Sequence, residues 1–220
     1  MKKFRHARRR FLFLPAAILA ILIPITSAYA REQWAPTDTE LAVLPAYCKD
    51  RMKSDYKKGK AKWTTLGEGF LHIHHYCMAL NFLNRAKAQY RDKAGRNFNL
   101  QNAQNNIQYM FDQTNDKYVL APDFYITKGE ISFMQGEKGE AQTSFEKATR
   151  IKPDYPKGWL ALSDYFRHTK RDEQARRVLE EGLKAVPKQY QEFMQKKIAE
   201  LPVEGGPPTT PSNAEKPRAR

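Results

Sequence analysis

PDFYITKGEISFMQGEKGEAQTSFEKATRIKPDY, residues 122–155, is followed directly by PKGWLALSDYFRHTKRDEQARRVLEEGLKAVP, residues 156–187. The series Pro122, Tyr125, Gly129, Ala141, Phe145, Ala148, Pro153 returns 34 residues later as Pro156, Trp159, Ser163, Ala175, Leu179, Gly182, Pro187. Large residues meet large, small meet small, and proline recurs at both ends. A period of this length marks a unit of two helices and a turn, which buries its apolar face by stacking on its neighbours as a solenoid.

Each unit reads as a pair of amphipathic helices. In the first, Tyr125, Ile126, Gly129 and Phe133 fall on one face at helical spacing. Pro122 suits the first turn, where a missing N–H costs nothing. Gly136 and Gly139 supply the turn, and Ala141, Phe145, Ala148 and Ile151 carry the second helix until Pro153 stops it. The second unit repeats the plan with Trp159, Leu162, Phe166, Ala175, Leu179 and Leu183, closing at Pro187.

Residues 122–187 resemble two tetratricopeptide repeats, 122–155 and 156–187. That family's pattern is a large aromatic, a Leu-Gly pair, an aromatic, then Ala, Phe, Ala and a closing Pro. Three positions depart from it: Lys128 stands where Leu is usual, Ser163 replaces Gly, and Gly182 replaces Ala. The resemblance implies an all-α, right-handed superhelix whose concave face binds a peptide. It places Asp123, Ile126, Glu130 and Phe133 of one repeat on that face, with Lys157, Leu160, Asp164 and Arg167 of the next. The family's carboxylate-clamp adaptors use Lys and Asn there, whereas this chain has Ile126/Glu130 and Leu160/Asp164. The implied occupant is therefore an amphipathic or basic segment of a protein rather than a free C-terminus.

The flanks complete the organisation. Lys188 to Leu201 places Tyr190, Phe193, Met194, Ile198 and Leu201 on one side, the pattern of a capping helix over residues 188–202. Residues 203–220 are rich in Gly and Pro without apolar periodicity, which predicts a disordered tail. Upstream, residues 31–121 form a looser helical region. Trp63, Leu66, Gly67, Phe70, Ala79, Leu83 and Ala86 have the spacing of a degenerate repeat. No turn signal interrupts His74-His75, so the preferred reading is one long helix, Phe70 to Lys93, paired with Leu100 to Gln113. A short helix over Ala46 to Lys58 precedes it.

The first thirty residues read as an export signal. Lys2, Lys3, Arg5, Arg8, Arg9 and Arg10 precede the apolar run Phe11 to Ile23, and Ala28-Tyr29-Ala30 offers a cleavage site. The rival is an uncleaved inner-membrane anchor, which Pro15 and Pro24 disfavour by interrupting the run. Arg8-Arg9-Arg10-Phe11-Leu12 also resembles a twin-arginine pattern, though the apolar run is greasy for that route. Export to the periplasm, with no stable span after cleavage, is the expectation.

The whole chain carries +14. The first thirty residues hold six basic side chains and no acid, which leaves +8 for residues 31–220. Both signs are interspersed and no basic block carries interleaved aromatics, which argues against nucleic acid as a partner. Attraction to anionic lipid or to an acidic partner stays open.

For chemistry, the one notable cluster is Phe70 to Cys77, holding His72, His74, His75 and one of the chain's two cysteines. On a helix His72/His75 or His74/Cys77 share a face, enough for two metal ligands where a mononuclear site wants three or four. The simpler reading joins Cys48 to Cys77 as a disulfide of an exported protein. Metal binding by the histidines is the alternative. There is no G-x-S-x-G elbow, no H-E-x-x-H and no phosphate-binding glycine loop. The expectation is a non-catalytic scaffold or adaptor in the cell envelope, with no cofactor.

Overall fold

The structure, a computed structural model, describes residues 34–53 and 56–202. The leader and tail expectations for 1–30 and 203–220 lie outside these. Among the described residues the chain is all-α, with no strand. Three short helices come first: α1 (Asp38–Ala42), α2 (Ala46–Lys53) and α3 (Tyr56–Lys62). A 3₁₀ segment (Thr64–Leu71) leads into α4 (Ile73–Ala88) and α5 (Lys93–Gln113). Then come α6 (Ala121–Gln135), α7 (Lys138–Ile151), α8 (Pro156–His168), α9 (Asp172–Ala185) and α10 (Lys188–Ala199).

Helices pack as consecutive pairs, α4 with α5, α6 with α7 and α8 with α9, and α10 lies on α9. The first helices of the pairs also touch in series, α4 on α6 and α6 on α8. One core cluster runs through α4 and α5 and takes in Phe124 and Ile131 of α6. A second is built from Ile126, Phe145, Leu162, Tyr165, Leu179 and Met194 among others. The two therefore meet on α6.

The 34-residue offset reappears in the backbone. After α6, Gly136 takes φ +89°. Its N–H donates to Phe133 C=O at 3.1 Å, and Glu137 N–H donates to Ser132 C=O at 2.8 Å. After α8, Lys170 takes φ +61°, its N–H reaches Arg167 C=O at 3.0 Å, and Arg171 N–H reaches Phe166 C=O at 2.9 Å. Both helices thus end on the same left-handed cap, which satisfies carbonyls that the helix leaves over. Glycine suits that conformation and lysine does not. Lys170→Gly is accordingly expected to stabilise the chain by up to about 1 kcal/mol, the relieved Cβ clash being partly offset by glycine's unfolded-state entropy. An unchanged or lowered urea midpoint would contradict this.

Gly129 and Gly182 are tight for a different reason. A Cβ on Gly129 would come within 2.7 Å of the Phe145 ring, and one on Gly182 within 2.6 Å of Trp159. Each glycine lets a large side chain of the partner helix lie flat on its backbone. The offset positions balance these volumes. Ser163 is bulkier than Gly129 while Leu179 is smaller than Phe145, and Trp159 exceeds Tyr125 while Gly182 is smaller than Ala148. Lys128, in place of the expected leucine, is half-buried, its ammonium 5.7 Å from the Phe111 ring and 2.6 Å from a Glu140 carboxylate oxygen. Its stem covers apolar surface while its charge finds a partner.

Within the expected helix Ala46 to Lys58 the described residues are helical, as α2 to Lys53 and α3 from Tyr56. Elsewhere the N-terminal region departs from expectation in two ways. The helix expected from Phe70 to Lys93 runs only from Ile73 to Ala88. Phe70 belongs to the 3₁₀ segment, in which Gly67 takes φ +50°, and Asp92 caps a new helix through Gly95 N–H. Because α4 passes through His74-His75 unbroken, the degenerate-repeat alternative over Trp63 to Ala86 does not describe the helix boundaries. The second departure is at the start of the described residues, where the pattern had given no helix: α1 is anchored by Glu40, which closes a capping box with Thr37 and takes both Nε and Nη2 of Arg85 on α4. At the far end, α10 buries Met194, and Leu201 beyond it is buried too. Tyr190 and Phe193, expected on the same covered side, are 40% and 46% exposed.

Candidate functional site

Two adjoining clefts lie on the layer formed by the first helices. One, of about 260 Å³, is lined by Lys87 of α4, Glu130, Phe133 and Met134 of α6, Phe145 of α7, and Ala161, Asp164, Tyr165 and His168 of α8. It spans three successive first helices. The other, of about 340 Å³, lies between α8 and α10 and is lined by residues that include Leu160, Asp164, Arg167, Phe193 and Lys197. Asp164 lines both, so the clefts form one strip.

The strip has aromatic walls and paired charges. Phe133 and Tyr165 meet edge to face with centroids 5.7 Å apart, and the His168 ring lies 5.9 Å from Phe133. Lys87 donates to Glu130 across the first cleft at 2.6 Å, and Arg167 pairs with Asp164 at 3.3 Å. Such exposed pairs contribute little to stability. A partner's charged groups can therefore replace them at small cost, while the aromatic surface supplies apolar contact.

Of the eight residues expected on a binding face, five line this strip: Glu130, Phe133, Leu160, Asp164 and Arg167. Ile126 does not. It is 2% exposed and belongs to the second core cluster, because α6 packs there against α7 and α8. Asp123 and Lys157 are spent on each other, Lys157 Nζ donating to Asp123 Oδ1 at 2.5 Å, with the Tyr155 hydroxyl donating to the same oxygen at 2.9 Å. That knot joins the start of α6 to the start of α8. Sequence reasoning missed Lys87, Met134, His168, Phe193 and Lys197. Met134 and His168 are 34 residues apart, so the repeat arithmetic contains them; Lys87 comes from a pair whose register the sequence left open.

Each of the three histidines has its own hydrogen-bond partner, although the His74 and His75 rings lie 4.3 Å apart. His72 Nδ1 lies 3.0 Å from Tyr109 Oη, and His75 Nδ1 lies 2.9 Å from Asn106 Oδ1. His74 Nδ1 accepts from Arg51 Nη2 at 3.2 Å. Among the described residues no group of three or more His, Cys, Asp or Glu side chains could hold a metal ion. Cys48 and Cys77 are joined in a disulfide between α2 and α4, both fully buried beside Leu41 and Leu44. Neither sulfur is then a thiolate ligand.

Burial, with the neighbouring His75 and Arg51, pulls the His74 pKa down from 6.5 to about 4. A base with a depressed folded pKa is protonated first in the unfolded chain. Its contribution is intact above about pH 6.5, erodes as pH falls, and is fully lost below about pH 4. His74→Asn is therefore expected to flatten the fall in urea midpoint between those two pH values. An equal fall in both proteins would show that other groups set the acid sensitivity.

No protein-family model, curated protein or solved structure matches this chain. No helix among the described residues is long and apolar enough to cross a membrane.

Proposed function

We propose that this is an exported, tetratricopeptide-like repeat protein that works as a non-catalytic scaffold, holding a segment of another envelope protein along its first-helix layer. The observation that carries the reading is the strip spanning α4, α6, α8 and α10, in which Phe133, Leu160 and Phe193 present apolar surface between replaceable ion pairs. Stacked helical pairs suit this work because each adds one increment of the same surface. The occupant that fits is an amphipathic segment offering apolar anchors at helical spacing and charges of either sign beside them. Export rests on the leader pattern and is consistent with two cysteines joined in a disulfide.

Site-specific photocrosslinking tests the reading. A photoreactive residue at Leu160 or Asp164 is expected to trap a discrete protein adduct in cells, whereas one at Arg150 or Glu180, exposed on the second helices, is not. Phe133→Ala is expected to weaken that adduct's equilibrium binding by about tenfold or more, the loss typical of an aromatic anchor. Equal trapping on both layers would remove the strip as the binding face.

A further inference from the structure

The charge of the chain is unevenly placed. Of the +8 carried by residues 31–220, +5 falls within residues 49–62, where seven Lys and Arg stand against Asp50 and Asp55. The fold leaves most of the lysines of this run exposed. Gly59 is buried with its α-carbon against the Phe70 ring, so close that a Cβ would lie 2.9 Å from it. With one side of α3 pinned to the core, Lys57, Lys58 and Lys62 are exposed and Lys60 is half-buried, while α2 adds exposed Lys49 and Lys53. Lys53 pairs with Asp38, Lys60 with Glu68 at 3.1 Å, and Lys62 with Asp50 at 2.7 Å. Lys49, Lys53, Lys57, Lys58, Lys60 and Lys62 set against Asp38, Asp50 and Glu68 leave a surplus of +3. An open cleft of about 470 Å³ adjoins it, lined by Lys57, Lys60, Ala61, Thr64, Gly67 and Glu68.

We propose that the α2–α3 face docks on an anionic lipid bilayer, with Lys57 and Lys58 among the headgroups and the adjoining cleft open to a phosphodiester. Lysine is depleted at protein–protein interfaces, whose centres are built on aromatic and aliphatic anchors. This face offers lysines instead, in the number that attracts an acidic membrane surface. The face lies on different helices from the proposed protein-binding strip, so the two surfaces are separable by mutation. Lipid docking would bring the scaffold to the membrane where an envelope complex assembles.

The test uses the full chain and vesicles of neutral phosphatidylcholine, with or without about one-third phosphatidylglycerol, at about 50 and about 300 mM salt. The neutral vesicles take account of the apolar residues 11–23, and the glutamine pair, which leaves the basic residues 2–10 in place, isolates the contribution of Lys57 and Lys58. The anionic-to-neutral binding ratio is expected to be well above unity at low salt and to collapse at high salt. Each lysine is worth about fivefold, so Lys57→Gln/Lys58→Gln should lower the ratio about 25-fold, and Lys57→Arg/Lys58→Arg should preserve it. Unchanged thermal midpoints in both variants separate this loss from misfolding. A ratio near unity, a ratio indifferent to the glutamine pair, or full competition by free inorganic phosphate would overturn the proposal. Binding to polyglutamate but not to anionic vesicles would also overturn it, by making the face a site for an acidic protein.

Discussion

Phe124→Ala should cost this protein about 3–5 kcal/mol, the range for removing a fully buried aromatic whose cavity cannot collapse. Phe124 is 0% exposed. Its ring meets Tyr76 of α4 at 4.7 Å, Tyr118 at 5.5 Å and Phe111 of α5 at 6.2 Å between centroids. It is thus a principal side chain, alongside Ile131, through which α6 grips the preceding helical pair. In a stacked array, stability is a sum of unit terms and interface terms, and this substitution removes an interface term. The urea transition should move to lower denaturant and broaden as the α4–α5 pair loosens from the helices after it. Phe193→Ala, which removes a ring 46% exposed, should stay within about 0.5 kcal/mol. A loss at Phe124 below about 1 kcal/mol would mean that the pairs are held together elsewhere.

Breaking the Cys48–Cys77 bond is the second large effect. The bridge closes a loop with a sequence separation of 29, and loop-closure entropy puts its contribution at about 3–4 kcal/mol. It compensates for a thin region. α1 is only 5 residues long, too short to hold itself in water, and the described residues of α2 and α3 bury little besides Cys48 and Gly59. Their small core is Leu41 and Leu44 with the two cysteines. Cys48→Ala/Cys77→Ala should therefore lose hydrogen-exchange protection first in residues 38–62, while residues 121–199 keep theirs. Uniform loss along the chain would show that the N-terminal helices and the later pairs unfold as one unit.

The later pairs were readable because their information is local. Pro122 and Pro156 stand at helix starts, Gly136 takes the left-handed cap, and Pro153 and Pro187 follow helix ends closely. Lys170 escaped notice because the conformation it shares with Gly136 leaves no glycine to mark it. Upstream the reading erred at boundaries. Nothing in the residue types around Phe70 distinguishes an early helix start from the 3₁₀ segment, which is fixed by Gly67 and by burial of Leu66 and Phe70. The end at Ala88 was equally hidden, although Asp92 is a recognisable N-cap for the helix that follows.

The candidate strip divides the same way. Glu130 and Asp164, like Met134 and His168, follow from helical spacing and the 34-residue offset. Tyr190 and Phe193 looked like covered faces of a cap because an amphipathic pattern gives a direction, not the extent of what lies over it.

By itself, the sequence determined the length of the repeating unit, its helical pairs and the pairing partner of each cysteine. These depend on residues close in the chain or on there being only two cysteines to join. Only the tertiary structure decided that Ile126 is core, that Asp123 and Lys157 neutralise each other, and that Lys87 faces Glu130 from 43 residues away. Exposure is set by whichever distant helix arrives to cover a side chain, and no local periodicity carries that information.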